Sequence, residues 1–398
     1  MYSRVAMLQS EKIEQAIGIL RELNMDAWLL YARETSEINE PAWGLVAPAG
    51  VVWPAAIILT AKGERFAITG KYDDAAFRDS GLYNDVLIYT QGISDTLRSL
   101  LSELDPQSIG INFSKSNVAA DGLTYGMFLQ LHEHLSGTPY AERLQSADAI
   151  VSRVRGRKTA SEAQRIRAAI ETTVKLFAEV TPLVKVGASE RDLYDFMQRR
   201  IAELGLGYAW EQAGNPIVNS GPASAVGHGP PTTNIHVEAG HAVHMDFGIK
   251  QDEYCSDLQR MWYIRRPGET SAPVALRQAL DAVAKTIHEG ARALKPGVEG
   301  WRVDQRAREV ITGAGYPEYQ HAFGHQLGRT AHDGSTLLGP RWARYGDTPY
   351  GLVEAGQVYT LELGVVTDAG MVALEEDVIV TDGGCEFLEE PQTKWWVV

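Results

Sequence analysis

The sequence predicts a two-part α+β protein, with a smaller α/β domain over residues 1–150 and a larger domain over 151–398. Three observations lead there. The chain is 398 residues long, more than one hydrophobic core of roughly 150 residues accounts for. Short apolar runs alternate with helix-periodic runs over the first 145 or so residues, the pattern of an α/β domain. Beyond them, the order of two helices followed by a strand pair occurs twice, which points to two similar halves packed against each other.

In the first part, Ile13, Ala16, Ile17, Ile19 and Leu20 share one side of a helix expected over 9–24. The runs DAWLLYA, AAIILT, RFAIT, DVLIYT and SIGINF read as strands, and residues 94–104 and 121–135 as helices. His132 and His134, in LHEH, are expected on a solvated helix face. Residues 42–61 carry no charge over 20 positions, the length of a membrane span, but Gly44, Pro48, Gly50 and Pro54 break any continuous helix. A turn-rich loop feeding a buried strand is expected there. The charged stretch 148–158 reads as a connection, with the domain boundary near it.

In the second part, helices are expected near 160–182 and 189–204, before strands near 241–264. Further helices near 272–294 and 301–314 precede strands near 357–381.

Apolar residues make up 44% of the chain and charged residues 22%, proportions of a folded globular protein rather than a disordered or fibrous one. Thirty-seven Lys and Arg against 51 Asp and Glu leave a formal charge of −14. That is the wrong sign for phosphates, so nucleic acid is not an expected partner, and neither is a membrane. Two cysteines, Cys255 and Cys385, make no disulfide framework, and no signal-like apolar core follows the N-terminus. A cytoplasmic protein is expected. Cys255 reads as a small buried residue.

Chemistry concentrates in the two strand pairs. In HAVHMDFGIKQDEYCSDLQRMWYI, a tip at Gln251–Asp252 would set Asp246 opposite Asp257. In YTLELGVVTDAGMVALEEDVIVT, the turn Thr367-Asp368-Ala369-Gly370 sets Glu362 opposite Glu375 and turns Glu376 to the other face. Opposed like charges at about 5 Å destabilise a sheet unless something neutralises them. Four gathered carboxylates would be neutralised by two divalent cations. Oxygen ligands with some nitrogen suit Mn²⁺, Co²⁺, Zn²⁺ or Fe²⁺. Eight of the ten histidines lie between 228 and 332, and HAFGHQLGRTAHDG holds His321, His325 and His332.

These residues resemble the pita-bread metallopeptidase family, which includes methionine aminopeptidase, aminopeptidase P and prolidase. The resemblance covers roughly residues 150–390. Asp246 in MDFG, Asp257 in SDLQR, His325 in FGHQLG, Glu362 in TLELG and Glu375 in LEEDVIVT match the family's five metal ligands in order. The domain placed before them resembles the creatinase/prolidase/aminopeptidase P branch.

The resemblance implies a pseudo-two-fold pita-bread catalytic domain holding two divalent ions, Mn²⁺ foremost, bridged by Asp257 and Glu375. It implies attack on an Xaa-Pro peptide bond by a metal-bridging hydroxide, with Glu362 shuttling the proton. His332 would contact the scissile peptide, His228 in AVGHGPP would steady the tetrahedral intermediate, and His321 would line the pocket. It also implies a small peptide as substrate and a homodimer.

The chain departs from the family where Ala373 stands in place of an arginine, in a strand that usually reads Val-Arg-Ile-Glu. Arg341 or Arg344, in the Gly- and Pro-punctuated stretch PRWARYGDTPYG, is expected to close over a dipeptide carboxylate instead. A dipeptidase is therefore expected first. An Xaa-Pro aminopeptidase, a creatinase-like hydrolase of a non-peptide C–N bond, and a catalytically silent module are the alternatives.

Overall fold

The computed structural model describes residues 2–224 and 229–398, with side chains from residue 7 onward. The chain divides into two compact units, Met1–Thr159 and Ala160–Val398.

The first unit is a six-stranded sheet between helices. Its strands are β1 (Ala27–Ala32), β2 (Ala55–Thr60), β3 (Arg65–Gly70), β4 (Asp85–Tyr89), β5 (Ile109–Ile111) and β6 (Leu144–Ser146), in the order β4-β3-β2-β1-β5-β6. Alternation along β1 builds both faces. Trp28, Leu30 and Ala32 pack with α1 (Tyr2–Glu22) and the single turn α2 (Trp43–Val46). Leu29 and Tyr31 pack on the other face with α4 (Ser94–Leu104) and α5 (Tyr125–Leu135), while α3 (Asp74–Ser80) contributes Phe77 to the first.

The uncharged stretch 42–61 folds as expected from its breakers, into α2 and the fully buried β2. Two local expectations change. His134 is not solvated: its ring lies 2.6 Å from the Ser94 hydroxyl and 3.2 Å from that of Tyr31. Residues 148–156 are not a bare connection but a helix, α6 (Asp148–Gly156). It buries Ile150, Val151 and Val154 in the first unit's core, so the link between units follows it.

The second unit opens with α7 (Ala160–Val180) and α8 (Glu190–Glu203). Strands β8 (Ile217–Ser220), β9 (Ala242–Phe247), β12 (Leu258–Tyr263), β13 (Val358–Thr367) and β14 (Gly370–Thr381) form the main sheet in the order β13-β14-β12-β9-β8. At its margins β15 (Gly384–Phe387) pairs with β14, and β16 (Trp396–Val397) with β12. β7 (Gly207–Tyr208), β10 (Ile249–Gln251) and β11 (Tyr254–Cys255) make a small separate sheet. Helices α9 (Val274–Ala293) and α10 (Gly300–Gly313) share a core with Leu361, Leu363 and Leu374 of the second hairpin. Glu362, between Leu361 and Leu363, and Glu375, next to Leu374, are thereby turned to the opposite face.

Candidate metal centre

The second hairpin has the expected register, with Glu362 opposite Glu375. Gly370 takes the left-handed φ of +118° that its turn requires. The first hairpin does not. Its tip is Asp252–Glu253, at φ 47° and 71°, one residue beyond the expected tip. Gln251 therefore faces Tyr254, and Asp246 faces Gln259 rather than Asp257. A strand pattern reports faces reliably but register only through the turn, and Asp-Glu is a weak signal for a tip with two positive φ values.

The corrected register creates a row. Asp246 on β9, Gln259 on β12, Glu375 on β14 and Glu362 on β13 are successive cross-strand partners. Asp257 sits just before β12, 5% exposed, with its backbone N–H donated to Asp377 Oδ2 at 3.2 Å.

His325 arrives from the loop after α10. Residues 323–327 run along β13: Thr360 N–H donates to His325 O (2.9 Å) and Glu362 N–H to Phe323 O (2.8 Å). Gly324 permits this approach, since a Cβ there would lie 1.9 Å from Thr360 O. The buried Arg308–Asp304 pair holds the loop from behind. Arg308 donates to the carbonyls of Tyr319 and His321, and Asp304 accepts from Phe323 N–H.

Asp257, His325 and Glu375 come together as possible metal ligands, their donor atoms within 4.8 Å of one another. His325 Nε2 lies 3.8 Å from Asp257 Oδ2 and 3.8 Å from Glu375 Oε1. Its Nδ1 faces Gln326 O at 3.4 Å, which leaves Nε2 as the free donor lone pair. Burial, then the His332 charge, push His325 down to about 3, so at neutral pH it is the uncharged imidazole a metal needs.

The acids are pushed the other way. Burial, then neighbouring negative charge, raise Asp246, Asp257 and Glu375 well above the usual carboxylate range. The same causes raise Glu362 to about 8. Asp246 Oδ1 and Glu375 Oε1 are buried without a hydrogen-bond partner among the described residues. Buried carboxylates with idle oxygens beside a neutral histidine fit divalent cations, which would return them to the ionised form.

The remaining expected residues fall in different places. His332 is exposed, its ring 4.3 Å from that of His325. His321 stands next to the centre's loop and adds to the charge that lowers His325. His228 lies outside the described residues. Arg341 lies over the Trp301 ring at 4.2 Å. Arg344 donates to Gln320 O at 2.6 Å and lies over Trp342. Neither arginine has a described contact with the five central residues. Glu376 pairs with Arg260 at 3.1 Å, both buried, away from the centre.

Sequence reasoning missed Gln259, Asp377 and the Asp304–Arg308 pair. Gln259 alone left a signal, its position two residues after Asp257 on the same face.

The model of metallopeptidase family M24 matches residues 164–382, more than half of the chain. The chain belongs to this family. An M24 fold accounts for the mixed α/β architecture, with an N-terminal domain ahead of the pita-bread catalytic domain. An uncharacterized peptidase of Staphylococcus haemolyticus is 27% identical over 311 residues, covering 78% of this chain and 80% of its own. Two solved structures align almost end to end. An Xaa-Pro dipeptidase from Bacillus anthracis is 24% identical, with a TM-score of 0.71 over 98% of this chain and 100% of its own. An X-Pro aminopeptidase from Thermotoga maritima is 23% identical, with a TM-score of 0.70 over 97% and 99%. Among the described residues, no helix is long and apolar enough to cross a membrane.

Proposed function

We propose that this M24 protein is a dinuclear metal-dependent peptidase that cleaves Xaa-Pro bonds, with dipeptides as its first substrates. One observation carries the reading: Asp257 and Glu375 gather with a neutral His325, Asp246 and Glu362 stand in the same row as Glu375, and Asp246 Oδ1 and Glu375 Oε1 are buried without a hydrogen-bond partner among the described residues. Asp246, Asp257, His325, Glu362 and Glu375 would hold the two cations. When bound, Mn²⁺ or a similar cation supplies Lewis acidity toward the scissile carbonyl and an acidified water.

The chain's own residues do the rest. Glu362, opposite Glu375 in the second hairpin, is the carboxylate assigned to carry a proton to the leaving nitrogen. His332, exposed beside His325, can donate to the substrate peptide. His228 is assigned the intermediate-steadying role by its motif.

The usual arginine position is Ala373, buried opposite Gly364, two pairs along the hairpin from Glu362–Glu375 and on the same face. A substrate carboxylate therefore needs a cation from elsewhere. Arg344, anchored on the carbonyl just before His321, is better placed for that than Arg341.

The missing arginine also favours a second reading, an Xaa-Pro aminopeptidase on longer peptides. With Mn²⁺ supplied, Ala-Pro should be cleaved faster than Ala-Pro-Ala. The reverse order favours the aminopeptidase, and cleavage of neither removes both.

A further inference from the structure

The row of acids is interrupted by one neutral side chain. Gln259 stands between Asp246 and Glu375, 6% exposed and on the acids' face. Its Nε2 donates to Glu375 Oε2 at 3.0 Å and to Glu362 Oε2 at 3.2 Å. Once a bound cation ionises these two acids their oxygens can only accept, so the amide edge that suits them is the NH₂ edge. The other edge is held too: Oε1 lies 2.9 Å from His244 Nε2, and His244 Nδ1 lies 3.0 Å from Asn219 Oδ1. These two residues are themselves buried, His244 on β9 and Asn219 on β8. Burial keeps the His244 ring neutral with a single N–H, and the acids at the far edge of Gln259 assign that N–H to Nε2, facing Oε1.

The consequence is visible at Glu375. One of its oxygens, Oε2, is taken by Gln259. The other, Oε1, is buried without a hydrogen-bond partner among the described residues and lies 3.8 Å from His325 Nε2, within the Asp257–His325–Glu375 group. The amide sorts the two oxygens of the carboxylate, one to the protein and one to the centre. Being neutral, it does so without adding a charge that would compete with a cation or repel the acids.

We propose that Gln259 is a positioning residue that ties one oxygen each of Glu362 and Glu375 to the Asn219–His244 pair, and thereby sets the affinity of the centre for divalent cations. The proposal rests on the reading of the five residues as metal ligands. A hydrogen-bond donor behind a ligand typically contributes 10–100-fold in metal affinity.

The test is a calorimetric Mn²⁺ titration of chelator-stripped full-length protein. Wild type, Gln259→Ala and the near-isosteric Gln259→Met are compared, each checked for fold by circular dichroism. The expected result is wild-type binding and 10–100-fold weaker binding in the variants, with peptidase turnover recovered by raising Mn²⁺. Gln259→Met keeps the test open if the alanine variant does not fold. A folded variant that binds Mn²⁺ within twofold of wild type overturns the proposal and leaves the ligand reading intact. Wild type that binds no Mn²⁺ overturns both.

Discussion

At the scale of single residues, the second unit separates charge that is used from charge that is stored. Arg260 and Glu376 are a buried pair, 3% and 2% exposed at their side chains, with two guanidinium–carboxylate contacts of 3.1 Å. Neither faces the metal centre. Arg260→Met should strand the Glu376 carboxyl and cost about 3–5 kcal/mol, read as a lower urea midpoint. The double variant Arg260→Met with Glu376→Leu should regain most of that. One position along β14, Glu375 has the opposite character, with an idle oxygen and, among the described residues, only the neutral His325 ring within ion-pair distance. Asp257→Asn should bind Mn²⁺ far more weakly than wild type and lose activity by at least about a hundredfold, the larger loss expected of a ligand itself. Unchanged Mn²⁺ binding would remove Asp257 from the ligand set.

At the scale of elements, the centre is where two hairpins and one loop meet. The second hairpin is held by a strong local turn. The first is held by a tip of two left-handed residues, Asp252 and Glu253. The loop is held by β13 and by the Asp304–Arg308 pair of α10. Its weak point is Gly324. A methyl group there would meet Thr360 O, a backbone atom that cannot swing away. Gly324→Ala should cost roughly 1–3 kcal/mol of stability by overpacking. It should also weaken Mn²⁺ binding, because the loop carries His325. A thermal melt with and without Mn²⁺ separates the two effects: a stability loss with the Mn²⁺ shift retained would show that the loop position does not matter to the centre.

At the scale of the molecule, the formal charge of −14 is less informative than where four of those charges sit. Folding raises Glu362 to about 8, from an ordinary value of 4.5, and raises the other three acids well above their range. Without metal, the folded chain therefore binds more protons than the unfolded chain wherever pH lies between those values, so stability falls as pH rises. His325, lowered to about 3, opposes this only below its unfolded value of 6.5, where acid destabilises the fold. From about pH 6.5 to 8 the raised acids act without His325, the buried Glu40 and Asp377 adding to the four of the centre. The melting temperature of chelator-treated protein should fall across that window, and the rise produced by Mn²⁺ should be larger at pH 8 than at pH 6.5. A melting temperature flat across the window would mean that the acids are ionised without a cation.

Much of this was legible in the chain. Periodicity located the helices that frame both hairpins, and the Thr-Asp-Ala-Gly turn set the register of Glu362 and Glu375, because those signals lie within a few residues of what they control. Candidate ligands could be nominated because carboxylates and histidines have few uses when they are flanked by apolar strands. The first hairpin's register was not legible, since its Asp-Glu tip has no marked preference for the conformation it adopts. Nor was the hold on Arg341 and Arg344, which depends on aromatic rings elsewhere in the fold. Gln259 shows the limit most clearly. Its two acidic partners are 103 and 116 residues away, and only the pairing of β12 with β14 brings them to one amide. The sequence by itself determined which elements form and which residue types could carry the chemistry. The tertiary structure alone decided which acids share a row, because strand pairing is set by long-range packing and by burial that no local pattern records.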